Sequence, residues 1–221
     1  MSGHSVPTKS KNGARVNTLP TPIAILISGR GSNMQAIVGA IEAGTLHASV
    51  RVVVSNRADA AGLDWARSHG LHTLVLSHRD VPSRDAYDAA LVSVLREHGV
   101  GLVCLAGFMR MLGPTFCSAF PNAILNVHPS LLPAFPGVDA QRQALEYGVK
   151  VSGVTVHFVT PELDAGPIVE QVTVPVHEDE TVESLSARIL VEEHQVFPRA
   201  IQKISRGGWR IDDRRVVFDE K

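Results

Sequence analysis

Two segments of the chain carry polar side chains where a strand should end. In Ile124-Leu125-Asn126-Val127-His128-Pro129 an apolar run closes on an amide and an imidazole two residues apart. Residues i and i+2 of a strand face one side of the sheet, so Asn126 and His128 project together, with Pro129 ending the strand. An amide donor beside a group that titrates near neutrality suits a developing oxyanion. The plainer reading of His128 is an imidazole bonded to backbone at a strand end. In the second segment, Ser28-Gly29-Arg30-Gly31-Ser32-Asn33, a glycine-rich turn joins an apolar strand to an amphipathic helix. Backbone N–H groups and the helix N-terminus converge there, which offers a monophosphate a place to bind. A tight turn capped by Ser32 or Asn33 is the competing reading.

The glycine segment approaches G-x-G-x-x-G but has Met34 at the third position, and the next strand ends in Val54-Ser55-Asn56-Arg57, with no acid for a ribose diol. A nicotinamide cofactor is therefore disfavoured. A third segment, Thr160-Pro161-Glu162-Leu163-Asp164-Ala165-Gly166-Pro167, is by composition a turn. Asp164 acquires chemistry only if the fold sets it beside His128, where a carboxylate can orient and charge an imidazole. His157, on an expected strand with Thr155 and Val159, reads equally as structural or as site lining. Among ten histidines only His69 and His72 suggest a ligand pair, so no metal is expected.

The elements that must position these residues alternate between two periods. Ile23–Ile27 is a nearly continuous apolar run, as in a parallel strand covered on both faces. Met34, Ile37, Val38 and Ile41 follow at helical spacing and stop at Gly44. The unit recurs as strand 50–54, helix 59–69, strand 73–76, helix 84–98 and strand 102–105. After Leu105, glycines and prolines crowd a loop-rich stretch with one clear strand at 124–127. Strands at 154–159 and 168–174 should be antiparallel, and a helix should span 182–204 with a kink or break at Pro198. The expected class is α/β: a Rossmann-like, mostly parallel sheet with helices on both faces and antiparallel strands added in the C-terminal half.

Composition narrows the ligand. The chain has 221 residues, 44% of them hydrophobic and 19% charged, and a formal net charge of −1. Such a balance gives no electrostatic footprint for nucleic acid and favours a small molecule. No apolar run reaches membrane-spanning length, and the basic first twenty residues lack the apolar core of a signal peptide. They read as a disordered tail over 1–21. The only cysteines are Cys104, within an apolar strand, and Cys117; no disulfide scaffold is indicated, and a cytoplasmic protein is expected. Cys104, Trp65 and Phe116 read as packing.

Together, Gly29-Arg-Gly-Ser-Asn33, Leu105-Ala-Gly-Phe-Met-Arg110, Asn126-Val-His-Pro-Ser-Leu-Leu-Pro133 and Val154-Thr-Val-His-Phe158 through Leu163-Asp-Ala-Gly166 resemble the folate-dependent formyltransferases, in uninterrupted order from about Ile23 onward. The resemblance implies one domain over 22–221, with a phosphate-binding half at about 22–120 and a folate and catalytic half at about 121–221. It implies transfer of a formyl group from 10-formyltetrahydrofolate, as co-substrate, to the amine of glycinamide ribonucleotide in de novo purine biosynthesis. Asn126, His128 and Asp164 would carry the chemistry. The backbone at Gly31, Ser32 and Asn33 would hold the substrate phosphate, and Glu193 the ribose hydroxyls. Met109, Arg110, Leu112 and the segment from Val159 and Thr160 to Asp164 would surround the folate, with Arg84 near its glutamate tail. Asp139 stands where relatives often have histidine, and Ala134 where lysine is common. A homodimer is compatible with the sequence; no nucleic-acid or membrane partner is expected. A formyltetrahydrofolate hydrolase and a non-catalytic nucleotide-binding module remain the alternative readings.

Overall fold

The computed structural model describes residues 19–219. The expected tail lies outside this range up to residue 18, and Thr21 already belongs to the first strand. Five parallel strands come first: β1 (Thr21–Ile27), β2 (Ala48–Ser55), β3 (Thr73–Val75), β4 (Leu102–Leu105) and β5 (Ile124–His128). Between them run α1 (Ser32–Glu42), α2 (Ala61–Ser68), α3 (Arg84–Glu97) and α4 (Pro114–Ala119), with a 3-10 turn over His78–Asp80 before α3. Then come α5 (Ala140–Tyr147), the antiparallel pair β6 (Val151–Phe158) and β7 (Ile168–Pro175), α6 (Val182–Ser205), and a hairpin of β8 (Trp209–Asp212) and β9 (Arg215–Phe218). The nine strands among the described residues form one sheet in the order β3-β2-β1-β4-β5-β6-β7-β9-β8.

The continuous apolar runs are explained by burial on both faces. In β1, Ile23, Ile25 and Ile27 join the core under α1, α2 and α6, while Ala24 and Leu26 join the core under α3 and α4. Each helix brings its own stripe: Met34, Ile37 and Val38 from α1, Tyr87, Leu91 and Leu95 from α3. Burying one such aliphatic side chain is worth about 2 kcal/mol, so these stripes fix which face each helix covers.

Strand order reverses direction between β1 and β4, and the loops leaving their carboxyl ends meet there: Ser28 N–H donates to Gly107 O at 3.1 Å. Such a switch point is where open α/β sheets bind ligands. Three elements go beyond the expectation: α4, α5 and the β8–β9 hairpin lie in stretches read as loop or as little more than an end. The break expected at Pro198 does not occur; α6 runs through it, started by a reciprocal Thr181–Ser184 capping box. Val196, Phe197, Ala200 and Ile201 are all fully buried around that proline, and their packing outweighs the roughly 3 kcal/mol that an interior proline costs. No helix among the described residues is long and apolar enough to cross a membrane.

Candidate active site

At the end of β1, Gly31 is the N-cap of α1 with φ 73°, and no side chain caps the helix. The competing reading, a cap from Ser32 or Asn33, is not realised, so the first-turn N–H groups have no capping side chain. Glycine is required here on two counts. Its backbone is left-handed, and a Cβ would come within 3.0 Å of Met34 Cε and 3.1 Å of the Gly62 backbone. Gly62 in turn holds the loop, donating its N–H to Gly29 O at 3.0 Å.

Asn33 does not cap; it reaches across to α6. Its Nδ2 donates to Glu193 Oε2 at 2.6 Å, joining residues 160 apart in sequence. Glu193 is buried, which pushes its carboxyl up to about 7, with the Asn33 hydrogen bond pulling the other way. A carboxyl poised near neutrality thus sits beside the anion loop, where it can accept from hydroxyls of whatever the loop anchors.

The second group of residues is assembled by the antiparallel pairing of β5 and β6. The register sets Asn126 opposite His157 and His128 opposite Thr155, so all four share one face. His157 Nδ1 lies 2.8 Å from Phe158 O and must carry the proton of that bond. Burial lowers the His157 pKa, so its other nitrogen is a lone pair, which accepts from Asn126 Nδ2 at 3.2 Å. This contact orients the Asn126 amide and leaves its second N–H for a ligand. His157, undecided from sequence, therefore has both roles: it is bonded to backbone and it lines the site.

His128 is 4% exposed, and its Nε2 donates to Phe135 O at 2.9 Å. Its Nδ1 faces Asp164 Oδ2 at 3.4 Å. His128 thus lies between a backbone carbonyl on one side and a carboxylate on the other. The Nδ1–carboxylate distance of 3.4 Å exceeds the 2.7–2.9 Å of a close charged hydrogen bond, so the carboxylate does not hold this nitrogen tightly. Asp164 has φ 47°, and its Oδ2 takes the Gly137 N–H at 2.8 Å. The turn that composition alone made unremarkable thus delivers its carboxylate to His128.

These residues open into a cleft of about 550 Å³. One wall is the loop after β4, with Met109, Arg110 and Leu112; the other is Val159–Asp164; Val138 and Asp139 stand at its edge. Met109 is exposed, whereas the Leu112 side chain is buried in the core below. The Arg110 guanidinium lies 4.8 Å above the Tyr87 ring. Arg84 is on the first turn of α3, outside the lining, with its guanidinium near Gly113. Gly31, Ser32 and Asn33, at the end of the neighbouring β1, and Glu193 on α6 also lie outside the lining. A more open groove of about 580 Å³ between α3 and α4 holds no imidazole. His69 stacks on Trp65 and His72 on His98. Phe116 is fully buried, and Cys104 is buried so deeply that its thiol is pushed far up and is inert.

Known proteins share this arrangement of elements. A family model described as formyl transferase matches residues 21–201. The phosphoribosylglycinamide formyltransferase of Escherichia coli (strain K12) is 43% identical over 199 residues, which cover 89% of this chain and 93% of that one. The trifunctional purine biosynthetic protein adenosine-3 of Bos taurus is 44% identical over 191 residues, 86% of this chain but 19% of that protein, so the chain spans about a fifth of such relatives. The crystal structure of glycinamide ribonucleotide transformylase 1 from Symbiobacterium toebii superposes with a TM-score of 0.90 at 50% identity, covering 96% of this chain and 100% of that one. A match over most of the chain, with relatives at this identity, means that the chain belongs to the formyl transferase family.

Proposed function

We propose that the chain transfers a formyl group from 10-formyltetrahydrofolate to the amine of glycinamide ribonucleotide, in the cytoplasm, as a step of purine biosynthesis. The observation that carries this reading is the His128–Asp164 pair beside Asn126, in a cleft on the same sheet edge as the uncapped N-terminus of α1. The name of the Escherichia coli relative, matched over nearly its whole length, supports the choice of substrates.

In this reading the anion loop at Gly31–Asn33 takes the nucleotide's phosphate and Glu193 accepts from its ribose hydroxyls. The folate lies between the 109–112 wall and the Val159–Asp164 wall, its glutamate tail toward Arg84 and Arg110. The amine nitrogen attacks the formyl carbon, and the carbonyl electrons move to oxygen. The free N–H of Asn126 and the Nδ1–H of His128 receive that oxyanion, donors that gain strength as charge develops. The attacking nitrogen, now cationic, gives up a proton to Asp164, directly or through water. The oxyanion's electrons then re-form the carbonyl and the bond from formyl carbon to the folate N10 breaks; N10 keeps the electron pair and takes the proton that Asp164 received, directly or through water. Phosphate binding, made equally in ground and transition state, serves to hold the amine at the formyl carbon.

A spectroscopic assay of folate deformylation tests this. Activity should be nearly absent with 10-formyltetrahydrofolate alone and appear on adding glycinamide ribonucleotide. Brisk deformylation without acceptor would make the chain a hydrolase. Nucleotide binding without transfer would leave a binding module.

A further inference from the structure

The loop that forms the 107–113 wall has no helix or strand of its own between β4 and α4. Phe108 and Leu112 pack into the core below, while Met109 and Met111 are exposed. Apolar contacts set depth but not direction; directional placement of this backbone falls to polar contacts from elsewhere in the fold. Two of these come from buried side chains that do not themselves line the cleft.

At the near end, Ser28 Oγ accepts the Met109 N–H at 2.8 Å and donates its own proton to Asn56 Oδ1 at 2.6 Å. With Ser28 N–H on Gly107 O at 3.1 Å, this one residue spans three successive strand ends, those of β1, β2 and β4. Ser28 immediately precedes the anion loop. At the far end, fully buried Asp88 on α3 accepts the Gly113 N–H through Oδ2 at 2.6 Å. A methyl group at Gly113 would come within 2.8 Å of that oxygen, so carboxylate and backbone are in close contact. Between the two ends, Arg110 lies on the ring of Tyr87, the neighbour of Asp88. The Asp88 carboxyl is buried at real cost, with Oδ1 unpartnered, and core packing alone would be served better by an apolar residue.

We propose that Ser28 and Asp88 are positioning residues for the formyl donor, setting from below the wall against which the folate lies. Neither touches the ligand. Their effect reaches it through the backbone at 109 and 113, where displacement of about an ångström suffices to weaken the contacts that hold the donor. Ser28 also makes the placement of the donor wall depend on the loop that anchors the acceptor. The inference rests on the reading of this cleft as the folate site.

Steady-state kinetics with both substrates varied tests it. S28A and D88A should each raise the KM for 10-formyltetrahydrofolate about tenfold, leaving kcat within about threefold and the KM for glycinamide ribonucleotide within about threefold. S28T and D88N, which keep an acceptor oxygen for the backbone N–H, should recover most of the donor KM. KM does not depend on the fraction of correctly folded enzyme, so partial misfolding does not imitate the effect. Should D88A fail to fold, G113A displaces the same carboxylate from the other side and should give the same donor defect. A donor KM within twofold of wild type in S28A, or in both D88A and G113A, overturns the proposal. So does an equal rise in both KM values. If the wild-type enzyme does not turn over the donor at all, it is the assignment of the cleft that fails.

Discussion

In the proposed reading, the groups offered to a ligand at the carboxyl end of β1 are backbone N–H groups from consecutive residues, whereas at the end of β5 they are side chains drawn from 126, 128, 157 and 164. The first site is local in sequence and fixed by one turn, with Glu193 alone coming from far away. The second exists only because β6 returns antiparallel beside β5 and the link to β7 folds Asp164 back. A backbone site holds a charge that does not change during reaction, and it tolerates most side-chain changes provided the turn survives. A side-chain site can place protons and donors where charge develops. The two regions should therefore fail in different ways.

The largest effects should come from the side-chain region. His128→Ala, Asn126→Ala and Asp164→Asn should each lower kcat about a hundredfold or more while the acceptor KM changes little, since oxyanion donors and proton acceptors act mainly in the transition state. Raised KM with unchanged kcat in all three would abolish the contrast between the regions. Gly31→Ala attacks the backbone region. The left-handed φ and the close Gly62 backbone should cost roughly 1–2 kcal/mol of stability, and the displaced N–H groups should raise the acceptor KM about tenfold at nearly normal kcat. Denaturant unfolding and the same kinetics check both.

Glu193 is the side chain that breaks the rule for the backbone region, and its titration sharpens the point. Burial holds its carboxyl at about 7 in the folded protein, against an ordinary 4.5. Between those values the folded state keeps a proton that the unfolded chain has lost. The stability tied to this proton is fully present below pH 4.5 and falls as pH rises through 7, by up to ~3 kcal/mol. Glu193→Gln keeps an acceptor for Asn33 and removes the titration. Urea unfolding at pH 5 and pH 8 should show wild type losing stability relative to the variant at the higher pH; parallel behaviour would show that Glu193 is solvated as an ordinary carboxylate.

The same contrast explains what the sequence made legible. The parallel half could be read because each strand is buried on both faces and each helix carries a 3.6-residue stripe, signals contained within ten or fifteen residues. The Asn126–His128 pair was legible by strand parity alone. Asp164 and Glu193 were not: nothing near either marks it, and the family resemblance supplied both. His157 had a usable signal, since an antiparallel partner for β5 puts it directly across from Asn126, but that needs the register as well as the strands. Helix α4 has only six residues and opens on Pro114, α5 follows the left-handed Asp139, and β8–β9 turns through charged Asp213-Arg214. In each, short length and breaker residues hide the element until tertiary packing supplies its stability.

That hairpin bears on the smallest expected effect. Arg214 Nη2 donates to Ala165 O at 2.8 Å, so the chain's last strands touch the turn that carries Asp164. The contact is exposed, and a single hydrogen bond of this kind nets about 0.5–1.5 kcal/mol. Asp164 has a second, less exposed restraint in the Gly137 N–H at 2.8 Å. If the inner bond dominates, Arg214→Ala should lower kcat by less than threefold and leave both KM values alone, whereas adding Gly137→Pro, which removes the inner donor and also forces the backbone out of its φ of 82°, should bring the loss toward that of Asp164→Asn. A single Arg214→Ala variant as impaired as Asp164→Asn would mean that the side-chain region is held from the sheet edge rather than from within the cleft.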